Sequence, residues 1–91
     1  MEIKILVVDD EPDMRQLLKR SLEPDLDCTV ETASSGEAAL KILEETKCDM
    51  VLADIKMPGM DGLELLERIK KDYPDLTVLM MTAFGRIETA V

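Results

Sequence analysis

The sequence predicts a doubly wound α/β sheet, and two observations carry that prediction. Three short apolar runs, Ile5-Leu6-Val7-Val8, Met50-Val51-Leu52-Ala53 and Val78-Leu79-Met80-Met81, are too short for helices and show no alternation. That is the pattern of parallel strands buried on both faces. The segments between them carry apolar residues at helical spacing. Strand and helix alternate four times, which calls for a parallel sheet with right-handed crossovers.

Each element has its own local signals. After the first strand, Met14, Leu17, Leu18 and Leu22 repeat at three and four to form the inward face of a helix. Pro12 suits its first turn and Pro24 is expected to stop it. Cys28–Thr32 makes a weaker strand, with β-branched Thr29 and Val30. A second helix is expected to start at Ser34, because Ser34 and Glu37 form an S-x-x-E capping box ahead of Ala38, Ala39, Ile42 and Leu43. Asp61 and Glu64 cap a third helix in the same way, with Leu65, Leu66 and Ile69 facing inward. Tyr73-Pro74 ends it, since the residue before a proline avoids helical geometry. The fourth strand is Thr77–Thr82, and a fourth helix is expected to start near Gly85-Arg86-Ile87.

Composition narrows the functional classes. The chain has 91 residues, short enough that one domain over 1–91 is the ceiling, and 46% of them are hydrophobic, enough for a core. Twenty acidic side chains against 11 basic ones give a net charge of −9, which argues against direct contact with nucleic acid or an anionic membrane. The absence of histidine removes histidine-based triads, histidine-rich zinc sites and any phosphohistidine on this chain. Tyr73 and Phe84 are the only aromatics, too few for a base-stacking platform. Cys28 and Cys48 form no CxxC pair and read as free thiols in a reducing cytoplasm. No apolar stretch approaches the roughly 20 residues of a membrane helix, and the N-terminus lacks a signal-peptide pattern. A cytoplasmic chain is expected.

Ligands of open α/β sheets bind at the carboxyl ends of the strands. The first strand ends in Val8-Asp9-Asp10-Glu11, the third in Leu52-Ala53-Asp54-Ile55 and the fourth in Met81-Thr82-Ala83. Three aspartates and a hydroxyl meet on one rim if strands one and three are neighbours. At about 4 Å and an effective dielectric near 20, two such carboxylates repel by roughly 4 kcal/mol. Either one of them stays protonated or a cation lies between them. All-oxygen ligands favour a hard ion, and Mg2+ fits best because it needs few protein ligands. Magnesium beside a free carboxylate is the apparatus of phosphoryl transfer. Taken singly, Asp9 or Asp10 reads more readily as a helix cap, and Thr82 as a strand residue. Asp54 resists that reading, since apolar residues lie on both sides of it.

Through these residues the chain resembles the receiver domain of two-component response regulators along its whole length. The matching motifs are Val7-Val8-Asp9-Asp10-Glu11, the long run Asp54-Ile55-Lys56-Met57-Pro58-Gly59-Met60-Asp61-Gly62, and Met81-Thr82-Ala83. The resemblance implies that Asp54 is the phospho-acceptor, taking a phosphoryl group from the phosphohistidine of a sensor histidine kinase or phosphotransfer protein. It implies that Asp10 binds Mg2+ directly, that Asp9 acts through a water or shares the ion, and that Asp54 and the backbone carbonyl of Lys56 are further ligands. Thr82 would donate a hydrogen bond to a phosphoryl oxygen and small Ala83 would keep the approach open. Pro58 and Gly59 would shape the loop after the acceptor, and Gly62 would open the third helix. In the family the first helix helps to dock the kinase; otherwise Arg15, Lys19 and Arg20 read as a solvated face, and Met50, Met57, Met60, Met80 and Met81 as core and loop filler.

The same resemblance carries a flavodoxin-like strand order of 2-1-3-4-5, of which four strands in order 2-1-3-4 are expected here. The fifth strand and helix, with the phosphoryl-contacting lysine, are missing from the pattern, so no catalytic lysine is named. A receiver incomplete at its C-terminus, with a transcriptional output domain beyond it, is the expectation. The fourth strand is expected to be an open edge, so self-association is expected too. A magnesium-dependent aspartyl phosphatase or phosphotransferase is the alternative. It would usually carry an acidic residue two positions after its nucleophile, where this chain has Lys56. An inert interaction domain is a third class.

Overall fold

The computed structural model describes residues 3–81 fully and residues 87–90 through their backbone. Its elements are β1 (Ile3–Val8), α1 (Pro12–Leu26), β2 (Cys28–Ala33), α2 (Gly36–Glu45), β3 (Met50–Asp54), α3 (Gly62–Asp72), β4 (Thr77–Met81) and β5 (Ile87–Ala90). The sheet runs β2-β1-β3-β4-β5. The first four strands are parallel, in the expected order 2-1-3-4.

The continuous apolar runs make two cores because successive strand residues point to opposite faces. Leu6, Val8, Val51, Ala53, Val78 and Met80 pack with Ala39 and Leu43 of α2 and with Leu65 and Ile69 of α3. Ile5, Val7, Val30 and Leu52 pack on the other face beneath Leu18 and Leu22 of α1. Full burial of a side chain the size of Leu6 or Leu65 contributes roughly 1.5–3 kcal/mol. Helices on both faces leave the carboxyl ends of β1 and β3 side by side, with Val8 opposite Ala53.

Three local expectations are corrected. Helix α1 continues through Pro24 to Leu26 and ends at Asp27, whose left-handed backbone (φ 48°, ψ 54°) turns the chain into β2. A proline in the last turn removes only one helical hydrogen bond, and the neighbouring Glu23 carboxylate ties that turn to β2 by accepting from the Val30 N–H at 2.9 Å. Met14 and Leu17, expected to face inward, are exposed, and α1 contacts the core through Leu18 and Leu22. Helix α2 is capped by Ser35, not Ser34: the Ser35 hydroxyl accepts from the Ala38 N–H at 3.1 Å, and buried Gly36 is the first helical residue. Asp61 caps α3 as expected, accepting from the Glu64 N–H at 2.9 Å.

The largest difference lies after β4. Ile87–Ala90, where a fourth helix was expected to begin, forms an antiparallel strand against β4, with Met81 opposite Ile87 and Val78 opposite Ala90. The open edge of β4 presents unpaired N–H and C=O groups, and a segment with β-branched Ile87 and Thr89 suits that edge. The β4 edge is therefore paired within the chain. Gly85 and Arg86 lie outside the described residues.

Candidate functional site

Strand pairing builds the site. Asp9 follows β1 and its N–H donates to the Ala33 carbonyl at 3.1 Å, so the ladder with β2 continues through it. Asp54 is the last residue of β3, in register with Met81 of β4. Placed on adjacent strand ends, Asp9, Asp10 and Asp54 each offer a carboxylate oxygen within 4.8 Å of the others. Asp9 is buried, at 3% exposure, Asp54 is half-buried and Asp10 is exposed.

The crowding has an electrostatic consequence. Burial is the main reason that the Asp9 carboxyl is pushed above its ordinary value. The Glu11 N–H opposes this by donating to Asp9 Oδ1 at 2.9 Å, while the Asp54 and Asp10 carboxylates raise it further and the Arg15 guanidinium lowers it. This is the state expected of a carboxylate cluster that holds a cation when one is present. The donor set is all oxygen, from a chain without histidine, and neither thiol belongs to the cluster. Those ligands fit a hard divalent ion such as magnesium.

The loop after Asp54 is built around close approaches. The Lys56 N–H donates to Asp54 Oδ1 at 3.2 Å and so restrains the carboxylate. The Gly62 N–H donates to the Ile55 carbonyl at 2.8 Å. A Cβ on Gly62 would fall on the Asp54 carbonyl oxygen and within 2.8 Å of the Ile55 Cα, so only glycine lets α3 start this close to β3. Gly59 takes φ +73°, the left-handed region that favours glycine. Met57 and Met60 are buried beneath the loop.

Of the residues named from sequence, the structure brings Asp9, Asp10 and Asp54 together, and the Lys56 main chain with them. Thr82 and Ala83 lie outside the described residues. Arg15, expected on a solvated face, instead donates from its Nη1 to the Asp9 carbonyl at 2.8 Å. The available signal was its position in the first turns of α1, since helical side chains lean towards the N-terminus and here towards the site.

The family model described as response regulator receiver domain matches residues 5–91. The chain belongs to that family. The receiver is 44% identical over 86 residues to the DNA-binding transcriptional regulator NtrC of Klebsiella pneumoniae, covering 93% of this chain and 18% of that protein. It is 40% identical over 88 residues to the sporulation initiation phosphotransferase F of Bacillus subtilis, covering 97% of this chain and 70% of that one. Among solved structures it is similar to response regulator protein TrrA from Thermotoga maritima in complex with Mg(2+)-BeF. There the TM-score is 0.84 at 43% identity, over 91% of this chain and 70% of that one. The receiver thus spans less than a fifth of the length of NtrC. It is a signalling domain of two-component systems with a flavodoxin-like fold, and none of its described helices is long and apolar enough to cross a membrane.

Proposed function

We propose that this receiver accepts a phosphoryl group on Asp54 from the phosphohistidine of a sensor histidine kinase or phosphotransfer protein. The observation that carries the reading is the placement of Asp54 on the strand end, within 4.8 Å of the Asp9 and Asp10 carboxylates and restrained by the Lys56 N–H. A carboxylate oxygen of Asp54 attacks phosphorus in line with the scissile P–N bond. As the P–O bond forms, the P–N electron pair leaves with the imidazole nitrogen, which takes up a proton. The products are an acyl phosphate on Asp54 and a neutral histidine on the donor.

Asp10, Asp9, Asp54 and the Lys56 carbonyl would hold Mg2+, which when bound supplies positive charge against the developing charge on the phosphoryl oxygens. Asp9 holds the turn through its bond from the Glu11 N–H, and Arg15 fixes the Asp9 carbonyl. Thr82 would donate to a phosphoryl oxygen and Ala83 would leave the approach open. The same opening would admit water, so the domain would assist its own dephosphorylation. Two free thiols fit a reducing cytoplasm. The output is proposed to be transcriptional, by likeness to NtrC, the DNA-binding transcriptional regulator. Self-association is also proposed, through the apolar α1 face, where Leu79 and Met81 are only partly buried.

Incubation with magnesium and acetyl phosphate, read by intact mass, tests the reading. One added phosphoryl group, absent in Asp54→Asn, is expected. Steady consumption of the donor without label supports the phosphatase alternative, and an unlabelled, inactive chain contradicts both.

A further inference from the structure

We propose that Gly36 and Met60 act together as positioning residues for the reaction at Asp54, an inference that rests on the phospho-acceptor reading. Gly36 opens α2, on a different element from any carboxylate of the site, and it is buried. Its backbone needs no glycine, since its φ is not in the left-handed region. At a helical position any residue with a Cβ and no ring would normally serve the helix better. Space explains the glycine. A Cβ there would stand 2.6 Å from Met60 Sδ, 3.0 Å from Cγ and 3.2 Å from Cβ.

The closeness of all three atoms matters. A clash with a thioether tip alone is relieved by a rotamer change, but the Met60 Cβ is carried by the loop backbone itself. Met60 is 8% exposed and has little free room in which to swing. Relief at Gly36 therefore moves the loop. That loop runs from Ile55 to Asp61 and carries Lys56, whose N–H restrains Asp54 Oδ1 at 3.2 Å. Its far end cannot absorb the displacement, because Gly62 is seated on the Asp54 carbonyl and the Ile55 Cα. The loop is thus closed at Gly62 and registered sideways by Met60 lying across the first turn of α2. Small misplacements of a reacting group cost rate out of proportion to their size.

The test compares the rate of phosphoryl labelling from acetyl phosphate and magnesium in the wild-type chain, Gly36→Ala, Met60→Ala and the double variant. The amide spectrum of Lys56 is followed in each. Gly36→Ala is expected to label about tenfold more slowly and to shift the Lys56 amide resonance, although alanine is the better helix former. Met60→Ala removes the two nearest atoms, Sδ and Cγ, and leaves only the 3.2 Å contact with Cβ, so the double variant is expected to label no more slowly than Met60→Ala alone, and to carry the Lys56 resonance back towards its wild-type position. Should Gly36→Ala fail to fold, the double variant still decides, because its new Cβ no longer meets Met60 Sδ or Cγ and keeps only the 3.2 Å contact with the Cβ at position 60. A Gly36→Ala rate and Lys56 resonance equal to wild type overturn the inference, as does a double variant in which the two losses multiply. A wild-type chain that takes no label overturns the phospho-acceptor reading instead, and this inference with it.

Discussion

Helix α3, on one face of the sheet, buries Leu65 and Ile69 completely, whereas α1, on the other, buries none of its residues completely. Helices α2 and α3 are held by apolar packing on Leu6, Val8, Val51 and Val78. Leu18 and Leu22 of α1 give it a thinner apolar contact, and its orientation comes from polar tethers. Lys19 Nζ donates to the Val30 carbonyl at 2.8 Å and pairs with Glu23 at 3.0 Å, Glu23 accepts from the Val30 N–H, and Arg15 donates to the Asp9 carbonyl. Apolar burial is non-directional and supplies most of the stabilisation, while hydrogen bonds fix angle and register. The face that carries the loop after Asp54 is the densely packed one. The face with exposed Met14 and Leu17 is tied to the turn that carries Asp9 and Asp10.

The sharpest way to break this comparison is to truncate one leucine on each face. Leu65→Ala should cost about 3 kcal/mol of unfolding free energy and Leu18→Ala about 1 kcal/mol, by urea denaturation. Equal losses would mean that α1 is held as firmly as α3.

Magnesium should act next in size. An ion bound only by the folded chain, at ten times its dissociation constant, stabilises by about 1.4 kcal/mol. Asp10→Asn should abolish that gain, and a melting temperature unmoved by magnesium would contradict an assembled site.

The pH dependence of the two tethered ends should have opposite signs. Asp9 binds its proton more tightly folded than unfolded. Its contribution to the metal-free fold is therefore complete below the ordinary value of 3.8 and is lost as pH rises through the raised value. Asp9→Asn should flatten that decline in a series of melts. Glu23 is held below the ordinary carboxylate range, first by the Val30 N–H and then by Lys19. Its contribution is present above 4.5 and is lost as pH falls through the lowered value. Glu23→Gln should give the smallest change of all. Salt should reduce the part due to Lys19 and spare the part due to Val30.

Strands β1, β3 and β4 were legible in the sequence because burial on both faces leaves unbroken apolar runs that no helix of that length could use. The meeting of Asp9, Asp10 and Asp54 followed from the same reading, since neighbouring parallel strands put their carboxyl ends together. What the sequence hid depends on contacts between distant residues. Pro24 reads locally as a stop, yet Glu23 and Val30 hold that turn to β2. Ile87–Ala90 becomes a strand because β4 offers it an edge, and its β-branched Ile87 and Thr89 suit a strand only once that distant partner is in place. The S-x-x-E box points to Ser34, yet the Ser35 hydroxyl takes the Ala38 N–H and Gly36 opens the helix. The partner of Arg15 is a main-chain carbonyl, so the side chain at the site end of α1 is the one signal of that contact in the sequence.

The central claim, that Asp54 carries the phosphoryl group, is tested most directly by locating the modified atom. Borohydride reduces an acyl phosphate to an alcohol, so an aspartate labelled with acetyl phosphate and magnesium becomes homoserine, and peptide sequencing by mass spectrometry reads its position. The account predicts homoserine at position 54 and none at positions 9 or 10. Homoserine at either of those positions, or a phosphoryl label that resists borohydride, would contradict it.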